Sequence, residues 1–198
     1  MTTVSGGLRR SRLGLIGLAA LFFVPLALSF FLYYGTSWRP TGGTQHGELV
    51  EPPRPLPQVA LEPAAGGPPR EDGLRGAWHL VFLAPADCDG ACRETLLATR
   101  QVRLALDKDM TRVRRVYLYP GAASPVPGFG EEHPDLWLAS LERAGLAAEF
   151  EAAAGGRPAT GWFLVDPLGN LMMAYPAGFT SKGLLEDLER LLKLSHIG

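Results

Sequence analysis

Two cysteines, Cys88 and Cys92, are the only thiols in the 198-residue chain, and they stand four positions apart in APADCDGACRET. Side chains four apart on a helix lie on one side, about a turn from each other. Two sulfurs so placed can trade electrons with a disulfide by closing into a bridge, or clasp a soft ion such as Cu(I) between two thiolates. Both chemistries need the thiolate, and a helix N-terminus supplies it by presenting free N–H groups and positive potential. Asp87 and Asp89 flank the pair and work the other way, favouring the neutral thiol. A bridge enclosing three residues removes little unfolded-chain entropy, so a purely structural disulfide is poorly motivated here. Two cysteines are also too few for a disulfide-stapled fold or a four-cysteine zinc site.

The elements around the pair place it at a strand-to-helix junction. Ala77 to Ala84 (AWHLVFLA) is apolar almost throughout, as a central strand covered on both faces should be, and Pro85 ends it. Ala91 to about Asp107 reads as a helix started by Asp89 and Gly90, with Leu96, Leu97 and Leu104 near one face. Val113 to Tyr119 is a second strand, joined to the first by a helical crossover and therefore expected parallel to it. A proline- and glycine-rich loop follows, and Asp135 to Arg143 and Ala147 to Ala153 read as helices. Gly161 to Asp166 and Leu171 to Tyr175 flank a Pro-Leu-Gly-Asn turn and are expected to form a hairpin. Ser181 to Ser195 closes the chain as a helix, with Leu184, Leu185, Leu188, Leu191 and Leu192 inward and Glu186, Asp187, Glu189 and Arg190 opposite. The expected class is α/β, a thioredoxin-like fold over residues 73–198 with a four-stranded mixed sheet and helices on both faces.

Ahead of it, Leu13 to Tyr34 is a run of 22 residues with no charge. As a helix it would span roughly 33 Å, enough for a hydrocarbon core of about 30 Å. The run exceeds the apolar stretch of a cleaved signal peptide, about 7–15 residues. Residues 13–34 are therefore read as a transmembrane helix in the lipid bilayer. Arg9, Arg10 and Arg12 place residues 1–12 in the cytoplasm and the rest across the membrane. Residues 35–72 hold eight prolines and six glycines and read as an extended tether, with His46 to Pro57 able to dock on the domain and His46 itself expected to be solvated.

Net charge is −1, but removing the three N-terminal arginines from the 19 basic residues leaves 16 against 20 acidic ones. A domain of that sign has no footprint for a phosphate backbone, which excludes nucleic acid as a partner. No P-loop, G-x-G-x-x-G, serine elbow or HExxH is present. Pro85 stands three before Cys88, where a peroxidase of this fold would need a hydroxyl.

The anchor, the tether, LVFLAPADCDGAC, FLVDPLGN and the terminal GLLEDLERLLK together resemble the Sco-type family, membrane-anchored thioredoxin-fold proteins that serve cytochrome c oxidase assembly. The resemblance implies that Cys88 and Cys92 bind Cu(I) or act as a dithiol reductant, with an oxidase subunit or its assembly factors as partner. It also implies a histidine ligand eight residues before the Asp of the Asp-Pro turn, and that position holds Pro158. A third ligand would have to come from elsewhere, with His133 the spare histidine, while His79 in an apolar strand reads as a hydrogen-bonded core residue and His196 as part of the chain end. Met172 and Met173 offer sulfur but alternate on a strand, so at least one is core. Pro158 could instead be the cis-proline that thioredoxin folds set beside their cysteines.

The expected function is that of a Sco-like assembly factor working through Cys88 and Cys92, in the bacterial inner membrane with its domain on the periplasmic side. The missing histidine tilts the balance from copper delivery toward thiol reduction. A general extracytoplasmic thiol-disulfide oxidoreductase and a non-catalytic docking protein are the alternatives.

Overall fold

The computed structural model describes residues 5–36, 43–64, 68–85, 87–121, 129–155, 160–176, 178–195 and 197. By contacts the chain divides into Met1–Thr44 and Gln45–Gly198. The first unit is carried by helix α1 (Ser5–Gly35). Its stretch Arg12–Gly35 is long and apolar enough to cross a membrane, with a mean hydropathy of 2.5 and none of it buried against protein. Phe30, Tyr33 and Tyr34 gather their rings at its C-terminal end, with centroids 4.6–4.7 Å apart, where aromatic side chains favour a membrane–water boundary.

In the second unit, strands β1 (Glu48–Pro55), β2 (Trp78–Leu83), β3 (Val113–Tyr119), β4 (Leu136–Ser140), β5 (Gly161–Val165) and β6 (Asn170–Tyr175) form one mixed sheet in the order β1-β6-β5-β2-β3-β4. The helical segments are α2 (Gly90–Ala105), the 3₁₀ turn Asp107–Arg112, α3 (Phe129–Glu132), α4 (Leu141–Ala144), α5 (Ala147–Ala153) and α6 (Ser181–Leu194). The parallel β2–β3 pair and the antiparallel β5–β6 hairpin are as the sequence predicts. Around the hairpin turn Asp166 accepts the N–H groups of Leu168 and Asn170, and Gly169 takes a φ of +87°.

The sheet has six strands where the sequence reading gives four. Leu136–Ser140, read as the start of a helix, instead pairs in parallel with β3, because β3 offers an open edge and Leu136, Ala139 and Ser140 find burial there. The other added strand is β1, inside the segment 35–72 read as a tether. It pairs with β6 at both ends and bulges between Leu49 and Arg54. Prolines cannot donate to a ladder, which confines such a strand to a sheet edge, and β1 is one. Leu56 and Leu61 continue from it into the core.

Strand alternation divides the core between the two faces. Trp78, Leu80 and Phe82 of β2 pack with Leu96 and Val102 of α2 and Leu184, Leu188 and Leu192 of α6. Val81 and Leu83 pack on the other face with Phe150, Leu146 and Leu61. Each such fully buried aliphatic side chain is worth about 1.5–3 kcal/mol. Two expectations for the helices change. On α2 the inward face is Cys92, Leu96, Thr99 and Val102, whereas Leu97 and Leu104 are exposed. On α6 Asp187, placed by periodicity among the outward residues, is buried.

One buried cation ties the parallel half together. The Arg115 guanidinium on β3 donates to the Leu96 carbonyl on α2 at 2.7 Å and to Thr99 Oγ1 at 3.1 Å, and pairs with Asp135 ahead of β4 at 3.1 Å. This holds α2 over the sheet with its N-terminus at the C-terminal end of β2.

Candidate functional site

Cys88 and Cys92 form a disulfide, with Cα atoms 5.2 Å apart. Asp89 is the N-cap of α2 and accepts the N–H of Cys92 at 2.9 Å. Cys92 therefore sits in the first turn, where helix potential favours an anion, while the carboxylate of Asp89 lies on the same turn and opposes it. Cys88 precedes the cap and is half-buried; Cys92 is buried, 6% exposed. That asymmetry suits an attacking Cys88 and a resolving Cys92.

Beside Cys92 lies a cavity of about 340 Å³, walled mainly by Phe82, Trp162, Tyr175, Phe179 and Thr95. Phe82 and Trp162 stack at 4.7 Å, and Tyr175 meets Phe179 edge-on at 5.7 Å. The Tyr175 hydroxyl donates to Asp187 at 3.1 Å. Burial, with the Asp187 carboxylate beside it, raises the Tyr175 pKa far above its usual value, so the phenol stays protonated. Cys92, the inner member of the pair, thus borders a largely apolar recess at the end of the sheet.

The other sequence candidates are elsewhere. His133, the spare ligand, is 1% exposed, packs edge-on against Phe129 at 5.8 Å, and is not among the residues lining the cavity. Burial and the nearby Arg115 lower its pKa, so it is neutral. His79 is a fully buried core residue, as expected, but neither ring nitrogen has a hydrogen bond of good geometry. Burial first, then Arg114 and Arg70, push its pKa down to about 4. Met173 is core and Met172 half-buried. His46, expected to be solvated, is exposed, and its ring also meets Asp187 and Glu186. Pro158 and His196 lie outside the described residues. Among the described residues no group of three or more His, Cys, Asp or Glu side chains is arranged to hold a metal ion. The sequence reading missed the aromatic wall of Trp162, Tyr175 and Phe179; the one signal for it is that Trp162 and Tyr175 stand at the ends of β5 and β6, level with the end of β2.

A family model described as the transmembrane-like, thioredoxin-like C-terminal domain matches residues 78–195. The chain belongs to that family. Solved structures share its fold at low identity. Yeast Sco1 with copper bound is 16% identical, with a TM-score of 0.55 over 72% of this chain and 95% of that one. The thiol:disulfide interchange protein of Chlorobium tepidum is 19% identical, with a TM-score of 0.54 over 71% and 97%. BsSco, described as having a disulfide switch and as a member of the Sco family of cytochrome c oxidase assembly proteins, is 12% identical, with a TM-score of 0.52 over 73% and 96%. No curated protein sequence matches the chain. What this transmembrane-like, thioredoxin-like protein shares with all three neighbours is the strand and helix framework.

Proposed function

We propose that this is a Sco-like, membrane-anchored dithiol protein that reduces a disulfide in a partner serving cytochrome c oxidase assembly. The observation that carries the reading is the Cys88–Cys92 disulfide at the start of α2, beside an apolar recess. In the forward step the Cys88 thiolate attacks one sulfur of the partner disulfide, forming a mixed disulfide and releasing a partner thiolate. The Cys92 thiolate then attacks Cys88 Sγ, giving the bridged form described above and freeing the second partner thiolate. The partner gains two electrons, the released thiolates take up two protons, and a dithiol donor must reduce Cys88–Cys92 again for another cycle.

Cu(I) enters this reading as cargo. The reduced pair supplies two soft donors about one helical turn apart, which suits two-coordinate Cu(I). Among the described residues His133 does not join Cys88 and Cys92 in a group of three that could hold a metal. Reduction is accordingly the principal role and copper holding the lesser one. The anchor is residues 13–34, and the domain belongs on the periplasmic side of a bacterial inner membrane by the N-terminal arginines.

A general extracytoplasmic thiol-disulfide oxidoreductase is the second reading, favoured by the lack of a third metal ligand beside the sulfurs among the described residues. A Cys92→Ser variant separates the two, because it arrests the mixed disulfide on Cys88. Capture of oxidase subunits or copper-handling factors supports the first reading, and capture of a broad set of clients refutes it in favour of the second. Titration of the reduced chain with Cu(I) against a competing chelator tests the cargo. Failure to withdraw copper from the competitor removes metal handling.

A further inference from the structure

Asp187 stands at the junction of two parts of the molecule that the sequence keeps far apart. Its side chain is 2% exposed. It accepts the backbone N–H of His46 at 2.9 Å and of Gly47 at 3.0 Å, while His46 Nδ1 lies 3.3 Å from its other oxygen. His46 and Gly47 are among the first residues of the second unit. The same carboxylate accepts the hydroxyl of Tyr175, whose ring walls the cavity beside Cys92.

Two glycines show how closely this segment is seated. A Cβ at Gly183 on α6 would come within 2.7 Å of His46 Cγ and 2.8 Å of its Cβ. One at Gly47 would come within 2.8 Å of the Tyr175 ring. Neither His46 nor Tyr175 could stay in place beside those atoms. A buried carboxylate needs partners for its lone pairs, so losing the two backbone donors would leave Asp187 under-satisfied and free to draw Tyr175 with it.

We infer that Asp187 is a positioning residue through which the seating of His46–Gly47 sets the cavity wall beside Cys92, and so sets access to the Cys88–Cys92 disulfide. A bound partner that displaces His46–Gly47 then alters the reactivity of the sulfur pair. This deepens the reading of that pair as the reacting group and rests on it for its biological meaning. Its test needs no partner protein.

The full chain in detergent micelles is reduced with dithiothreitol, and the appearance of free thiols is followed with a mass-tagging maleimide. Hydrogen exchange at the amides of His46 and Gly47 reports the latch, and far-UV circular dichroism confirms folding. Gly183→Ala touches neither the sulfurs nor the cavity, and alanine is the better helix former. It is expected to speed both amide exchange and disulfide reduction roughly three- to tenfold, the population change that follows loss of one or two ordinary hydrogen bonds. Asp187→Ala, which removes both acceptor oxygens, should do the same and stands in if Gly183→Ala misfolds. Tyr175→Phe cuts the link on the cavity side: reduction should speed up while the two amides stay within about twofold of the parent. In the double variant the effect on reduction should fall short of the product of the two single effects, as coupled sites require. Freed amides with an unchanged reduction rate overturn the inference, and so do amides as protected in Asp187→Ala as in the parent. Failure of oxidase subunits to be trapped would refute the proposed partner and leave this coupling intact.

Discussion

Replacing His79 with leucine removes a fully buried imidazole from β2 and with it a pH-dependent part of the stability. Burial, Arg114 and Arg70 hold its pKa near 4, against 6.5 for an unperturbed side chain. The unfolded chain therefore takes up a proton as pH falls through about 6.5, whereas the folded protein resists until about 4. Between those values the unfolded state binds more protons, so stability is full above pH 6.5 and declines as pH falls toward 4. At about 1.4 kcal/mol per pH unit the loss from this one residue is about 3 kcal/mol, a large share of a typical domain's stability. Urea unfolding of the full chain in micelles, followed by tryptophan fluorescence between pH 7 and pH 4, measures it. Carboxylates contribute equally to parent and His79→Leu, so the difference between their pH slopes isolates the imidazole. The leucine variant should lose about 3 kcal/mol less over the interval, and equal slopes would refute the burial argument.

Other outcomes follow from the same structure. Asp135→Ala leaves the Arg115 guanidinium buried without its carboxylate and should cost about 3–5 kcal/mol in urea unfolding, with Arg115→Met in the same chain restoring part of it. Asp89→Asn keeps the cap, since asparagine caps about as well, but removes a negative charge from the turn that carries Cys92. The reduced cysteines should then react with iodoacetamide several-fold faster at pH 7, with the gain fading at alkaline pH, as expected of a lowered thiol pKa. Gly169→Ala forces a side chain into φ +87° and against Arg75, and should lower the thermal midpoint by an amount matching about 1–2 kcal/mol.

The parts of the fold that were legible in the sequence are those with a strong local signal. The apolar run of β2, the crossover through α2 and the Asp166 turn each follow from residue pattern alone, and together they place Cys88 and Cys92 correctly. What escaped depends on contacts across the sheet. Leu136–Ser140 has no strict alternation and becomes a strand because β3 has a free edge to offer. Glu48–Pro55 is too rich in proline to read as a strand, yet half its length pairs with β6. Asp187 has the spacing of an outward residue, and only the arrival of His46, Gly47 and Tyr175 makes its burial tolerable. Likewise the recess beside Cys92 is assembled from the ends of separate strands, which no single stretch of sequence records.

The two margins of the sheet have a consequence for life in a crowd. On one side β1 carries Pro52, Pro53 and Pro55, and on the other Pro63 and Ala64 lie over β4, with Ala64 donating to the Leu138 carbonyl. Neither rim offers a clean ladder to a neighbouring copy. For molecules that share a flat lipid surface, and so meet far more often than in free solution, this discourages edge-to-edge stacking into fibrils.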